Sequence, residues 1–419
     1  MPGPTLAIDF GTSNSAAAIL EDGAPRRLAL EPGAETLPTA VFFPANRGPM
    51  RIGAAAASAL IDGEEGRYMR ALKSVLGTAL LHESRLIGGK RRSLAEVITE
   101  FLIEIRKRAE AASGKRFTSV LSGRPVHFHS ADPARDAQAE ADLRACYHAA
   151  GFDTVAFLPE PEAAALANHA QTRDATAGSE TGLIVDIGGG TSDFTAFRIE
   201  AGQIRILANH GIRLGGTDFD HAVSMDHAMP LLGLGGQLHR SLGEGLLPVP
   251  KAIYVELSSW AKIPFLYTPD TRRAVADLVK HAEDWPAMER LATVIEDELG
   301  HELAFAVEAG KIAANGRGAG PAASIDMGMI GAGLSAPVTP ASLDASLSGF
   351  RAALRQTMHE TLNHAGLAAA DVSRIVLVGG SSLMGMVAQE AQTLLPNADL
   401  HRSEAFTAVV DGLAVATAG

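Results

Sequence analysis

The stretch LIVDIGGGTSDFTAF, residues 183–197, decides the fold. An apolar run of strand character reaches Asp186, passes through Gly188, Gly189 and Gly190, and resumes beyond Thr191, Ser192 and Asp193. Consecutive glycines let backbone N–H groups converge on one point without side-chain obstruction, which makes a nest for phosphate oxygens. Asp186, at the strand end, is placed to hold Mg2+ through its water shell, since Mg2+ keeps several waters and takes few carboxylates beside phosphates. The N-terminal LAIDFGTSNSAAAIL, residues 6–20, repeats the pattern with Asp9 as the carboxylate and Gly11, Thr12, Ser13 and Asn14 as the small turn. A tight hairpin whose aspartate satisfies turn N–H groups would explain either copy alone. Two copies argue for a duplicated ligand-binding device, and two acidic strand ends facing each other would repel unless a cation sat between them. A third glycine turn, VGGSS (378–382), follows another apolar run.

The bulk composition narrows the classes. A chain of 419 residues exceeds one ordinary core, so two or more domains are expected. With 47% hydrophobic and 20% charged residues, it has the balance of a globular protein. The net charge of −12 supplies no positive field for nucleic acid or an anionic membrane, so neither is expected as a partner. An anionic ligand then needs a locally built site. The single Cys146 excludes an internal disulfide and a cysteine-rich metal site, and its helix-like setting ADLRACYHAAG reads as a buried structural thiol. No charged leader precedes the first strand, and no apolar run approaches the roughly 20 residues of a membrane helix. A cytoplasmic location is the expectation. No GxxxxGK[ST] occurs, which excludes a P-loop, and GLGGQL (233–238) follows no strand, which excludes a dinucleotide fingerprint there.

Along the chain, residues 5–10 and 15–20 read as a hairpin, 39–44 as a strand and 51–62 as a helix. Residues 94–113 carry apolar residues at helical spacing. Residues 119–128 read as a strand ending in a proline turn, 132–151 as a helix closed by Gly151, and 154–170 as a strand followed by a helix with Pro161 at its start. The polar QTRDATAGSET (171–181) separates two α/β halves, 1–175 and 176–419. The second half carries a mostly helical insertion at about 220–312, within which 230–250 reads as loop. The scattered histidines include two in VHFHS (126–130), which lack a third ligand for a metal. Trp260 and Trp285 read as packing, and GGKRRS (88–93) as a solvated basic patch.

IDFGTSNSAAAI, VDIGGGTSDFTAF, LPEPEAAALA, RLGGTDFD and IVLVGGSS stand in the order found in the actin-like ATPase superfamily. In detail the chain resembles the nucleotide-binding domain of DnaK-type heat-shock chaperones, and AMPLLGLGGQ is similar to a YegD-like branch that lacks a substrate-binding domain. The resemblance implies an α/β fold: a two-lobed actin-like clamp, each lobe a ribonuclease-H-like mixed sheet with flanking helices. It implies ATP or ADP with Mg2+ as cofactors, and a protein partner or co-chaperone. Asp9, Gly11, Thr12, Asp186, Gly188, Gly189, Gly190, Thr191 and Asp193 match phosphate and Mg2+ contacts, with Asp9 and Asp186 on the metal. Lys73, in LKSVLG, matches the catalytic lysine by its spacing to Gly77; Glu160 matches the catalytic glutamate, and Asp186 and Asp193 complete that set. Gly215, Gly216 and Asp218 match a phosphate-side loop, Glu308 and Lys311 the adenosine contacts, and Gly379, Gly380 and Ser381 the adenosine turn. The chemistry agrees: phosphoryl transfer needs charge neutralised and a water held in line.

Three positions depart from that family's pattern. Leu383 stands where an arginine stacks on the base, and it supplies no cation–π contact. Phe406 replaces an acidic adenosine contact. The switch proline is kept as Pro125, but AQAEAD (137–142) offers no partner arginine, which puts nucleotide-driven allostery in doubt. The resemblance also stops before a peptide-binding domain. The expected function is slow ATP hydrolysis to ADP and phosphate that signals to a partner. The alternatives are a nucleotide-binding scaffold or sensor without hydrolysis, a sugar kinase or exopolyphosphatase, and an actin-like filament protein.

Overall fold

The computed structural model describes residues 4–171, 180–200, 203–241, 243–315, 323–402 and 407–418. The chain divides into two compact units, residues 1–216 with 351–419, and residues 217–350. The half-boundary expected at 175/176 falls in residues 172–179, outside the described ones.

The first unit is built on two sheets with one topology. Thr5–Phe10 runs antiparallel to Asn14–Glu21, which pairs with Ala24–Leu28; on its other side Thr5–Phe10 pairs in parallel with Ser119–Arg124, and that with Thr154–Pro159. Glu180–Ile187, Ser192–Glu200 and Gln203–Ile212 repeat the antiparallel trio, and Arg374–Val378 and Asp399–Arg402 repeat the parallel pair. The duplication read from two hairpins therefore extends to whole ribonuclease-H-like sheets, and the chain has the expected α/β class. In each copy the strand that carries the aspartate lies in the middle, where an apolar run buried on both faces is expected.

Between the sheets lie the helices Glu160–Gln171 and Ala408–Ala416. Ala163, Ala164, Val410, Leu413 and Ala414 share one buried cluster with Ala7, Ala16 and Ala18 of the first sheet and Ile184, Val376 and Val378 of the second. Small side chains let the helices approach closely. Arg27 fastens the second helix through bidentate bonds to the buried Asp411 (2.9 and 2.7 Å).

Local signals set several element ends. The helix Leu94–Ser113 matches its expected span because Ser93 and Glu96 form a reciprocal cap and Gly114, at φ 69°, ends it. The strand from Ser119 stops at Arg124 rather than 128, because Pro125 has no N–H to give a ladder. Cys146 is buried in the helix Pro133–Ala149, where burial pushes its thiol up to about 11. The basic stretch at 88–93 is more than solvated charge. Lys90–Arg92 pairs with Arg85–Ile87, and Arg92 bonds Glu100 at 2.7 Å while lying 4.8 Å from the Phe43 ring.

The second unit is mostly helical. Pro269–His281 and Trp285–Glu296 start on caps from Thr268 and Asp284. Tyr254, Met288, Leu291, Ile295 and Leu303 are buried, and the Tyr254 hydroxyl donates to the Leu232 carbonyl at 3.0 Å. Trp260 packs edge-on against Phe305, 5.1 Å between centroids, and its indole N–H donates to Asp220. Residues 230–250 are not plain loop. Gly233 and Gly235 take positive φ, and the chain then forms a short hairpin, Gln237–His239 with Leu246–Pro248.

Candidate functional site

Asp9 and Asp186 occupy equivalent places, each one residue before the end of its strand. The turns that follow interlock. An ideal Cβ at Gly189 would lie 2.5 Å from the Ser13 hydroxyl oxygen and 3.1 Å from Thr12 Cβ. One at Gly215 would lie 2.5 Å from the Gly190 nitrogen, backbone against backbone. Gly379, at φ 80°, sits where a Cβ would meet the Ile187 carbonyl and the Asp186 carboxylate. Glycine is required at these places by neighbours, which is how the third glycine turn is seated beside the second hairpin. The Gly216 N–H donates to the Gly188 carbonyl (2.9 Å), tying the Gly215–Gly216 loop to the same place.

These turns open on a cavity of about 640 Å3, including solvent at its mouth. Asp9, Gly11, Thr12, Ser13 and Asn14 line it from the first hairpin, and Asp186, Gly188, Gly189 and Thr191 from the second. Gly379, Gly380 and Ser381 line it too, with Lys73, Glu160 and Val409. Gly190, Asp193, Gly215 and Gly216 stand in the same unit but are not in its lining. Asp218, Glu308 and Lys311 belong to the second unit. There the Lys311 ammonium is buried and paired with Asp220 at 2.6 Å.

Lys73 comes from a single 3-10 turn, Leu72–Val75, entered through Ala71 at φ 59°. A non-glycine residue held there costs about 1 kcal/mol and marks a segment fixed by its surroundings. Lys73 is only 7% exposed, and its ammonium pairs with the Glu160 carboxylate. Glu160 opens its helix directly after the strand Thr154–Pro159 and passes over Gly123, whose absent side chain leaves room for the Glu160 stem.

The cluster carries more negative than positive charge. Burial, then the Glu160 charge, pushes Asp9 up to about 7, against the pull of Lys73. Burial and Glu160 likewise push Asp193 up to about 8, although the Val126 N–H donates to it at 2.7 Å. Asp186 is raised well above the carboxylate range by burial, Glu160, Asp193 and Asp9. Burial pulls Lys73 down, but Glu160, Asp9 and Asp193 outweigh it and hold the amine above its ordinary value. Among the described residues no three His, Cys, Asp or Glu side chains converge on a ready metal cage. A cation here would be held through water and ligand oxygens, the habit of Mg2+.

A pH effect follows. In the unfolded chain these aspartates titrate near 4, so between pH 4 and 8 the unfolded state releases their protons first and the folded state loses stability. Asp193→Asn keeps an oxygen for the Val126 N–H and removes a charge. It is expected to raise the melting temperature of the ligand-free protein by roughly 2–4 °C at pH 8, with the gain shrinking toward pH 5. A lower melting temperature at pH 8 would contradict the charge argument.

The sequence reading gives no role to three residues that the structure places around the site. Arg124, beside Pro125, donates to the carbonyls of Pro125 and Val126 (both 3.0 Å) and pairs with Glu140, so the proline segment has an arginine although none stands at the expected place. His129 is buried and meets Arg213. Arg213 opens RLGGTDFD and His129 stands in VHFHS, but nothing in either stretch marks these contacts. Leu383 is 44% exposed, and Phe406 lies outside the described residues. No helix among the described residues is long and apolar enough to cross a membrane. A family model described as Hsp70 protein matches residues 5–232, more than half of the chain.

Proposed function

Because this chain belongs to the Hsp70 family, we propose that it is a chaperone-related ATPase that hydrolyses Mg-ATP slowly, its nucleotide state signalling to a protein partner. The observation that carries the reading is the buried Lys73–Glu160 pair, which faces the same cavity as Asp9, Asp186 and the glycine turns.

Backbone N–H groups of the two small-residue turns, 11–14 and 189–191, would take phosphate oxygens; the Gly188 N–H donates instead to the Thr191 carbonyl (3.0 Å) and closes its hairpin. Lys73 would set a positive charge against the transferred phosphoryl group, and Glu160 would accept a hydrogen bond from the attacking water and hold it in line. Asp9 and Asp186 would hold Mg2+, which when bound neutralises phosphate charge. Their raised proton affinity fits this, since a cation would keep them ionised. Asp193 would stay fixed by the Val126 N–H as second carboxylate behind Asp186. Gly379, Gly380 and Ser381 would form the adenosine turn, with Leu383 packing in the place of a stacking cation. Asp218, Glu308 and Lys311 are assigned to the nucleotide by family resemblance, Lys311 as part of its pair with Asp220.

The test is single-turnover hydrolysis of labelled ATP with protein in excess, in Mg2+ and in EDTA. ADP and phosphate should form in Mg2+ and form at least a hundredfold more slowly in EDTA. Tight ATP binding without conversion would remove the catalytic assignment and leave a nucleotide-gated binding module.

A further inference from the structure

We propose that Arg213 and His129 form a strap that positions the Lys73 turn against the Gly215–Gly216 loop. The inference rests on the ATPase reading for its catalytic consequence and on geometry alone for its mechanical one. Lys73 stands in one 3-10 turn outside both sheets, and such a turn has little stability of its own. One of its carbonyls, and the carbonyl of the residue that follows it, are held from elsewhere. The Arg213 guanidinium donates to the Ser74 carbonyl at 2.8 Å, and His129 Nε2 lies 2.8 Å from the Leu76 carbonyl.

The same two side chains are joined to each other. An Arg213 guanidinium nitrogen lies 3.1 Å from His129 Nδ1. Guanidinium can only donate, so Nδ1 accepts, and Nε2 carries the ring hydrogen that goes to Leu76. One tautomer therefore completes the chain Ser74–Arg213–His129–Leu76. The ring is 6% exposed, and burial, with Arg213 and Arg135 nearby, holds its basicity below the ordinary histidine value against the pull of the Leu76 carbonyl and Asp136. A neutral ring is what this bonding needs.

Arg213 directly follows the strand Gln203–Ile212 and stands two residues before Gly215. Its backbone is thus continuous with the loop that packs on Gly189 and Gly190. The strap consequently links the turn that carries the cation to the loop that closes over the second glycine hairpin. A shift of either would be passed to the other over two hydrogen-bonded side chains. Arg213 and His129 are positioning residues: neither lines the cavity.

Arg213 is exposed, so Arg213→Ala should fold; His129→Gln is the second variant. Hydrogen exchange of residues 72–78 should speed at least tenfold in both, while exchange in the two sheets stays as in the parent protein. Single-turnover ATP hydrolysis should fall about tenfold, with the ATP dissociation constant within threefold, and the double variant should be no slower than the worse single one. Unchanged exchange at 72–78 in Arg213→Ala and His129→Gln overturns the strap. So does a loss of hydrolysis matched by equal loss of ATP affinity and melting temperature. If the parent protein does not hydrolyse ATP, the ATPase reading fails by itself, and the exchange measurement still decides the strap.

Discussion

Lys73→Ala is expected to slow single-turnover ATP hydrolysis about a thousandfold, the scale of removing a positioned cation or oxyanion donor in phosphoryl and acyl transfer. Lys73 is the only lysine or arginine lining the cavity among the described residues, so no neighbour can replace its charge. The substitution also acts on the ligand-free protein. Breaking a buried ion pair by removing one partner costs about 3–5 kcal/mol, and Glu160, Asp9 and Asp193 all draw on this one ammonium. Proton uptake by Asp9, already poised near 7, offsets part of that cost. Glu160→Gln should also slow hydrolysis, by at least tenfold, but with the opposite effect on stability. It removes the charge that raises Asp9, Asp186 and Asp193, so the ligand-free melting temperature should hold or rise. The two variants therefore agree in activity and part in stability. Melting curves beside single-turnover rates check this. If both variants lost hydrolysis and both melted lower, the pair would be structural cement. A Lys73→Ala rate within tenfold of the parent would remove the lysine from the chemistry.

How much of this was legible in the sequence depends on the range of the contacts. The hairpins at Asp9 and Asp186 were legible because each is local, and because duplication made a weak signal repeat. The helix Leu94–Ser113 was legible at both ends because its caps are sequence-local. Lys73 and Glu160 were reachable only through the spacing of a known family, since nothing beside Lys73 in LKSVLG distinguishes it from a solvated lysine. Their pairing across 87 positions is a tertiary fact. Arg213 and His129 stand in stretches that the sequence singles out, RLGGTDFD and VHFHS, but neither route gives their contact. They meet across 84 positions, and two of their partners are backbone carbonyls, which leave no mark on residue identity. Arg124 was overlooked for a related reason. The family pattern puts the partner of Pro125 on the next helix, whereas an arginine adjacent in sequence reaches the same backbone.

Gly412→Val is expected to destabilise the fold by more than about 4 kcal/mol, and Gly412→Ala by about 2 kcal/mol, the range of overpacked cores. Helix propensity alone predicts the reverse sign, since glycine inside a helix is about 1 kcal/mol worse than alanine. Contact decides otherwise. A Cβ at Gly412 would overlap the Ala163 carbonyl, which is backbone and cannot rotate away. Relief requires the helices Glu160–Gln171 and Ala408–Ala416 to part, and both pack into the cluster that joins the two sheets. Ala163 is one helical turn from Glu160, and Val409, one turn before Gly412, lines the cavity. The movement that admits a methyl group at position 412 thus disturbs the Glu160 carboxylate as well as the core. Gly349→Ala is the control, because a Cβ there meets nothing within 4 Å and should be neutral or stabilising. Urea unfolding of the three variants separates the effects. If Gly412→Ala gained stability as Gly349→Ala does, the two helices would be free to separate, and the close approach would not be what holds Glu160 at the cavity.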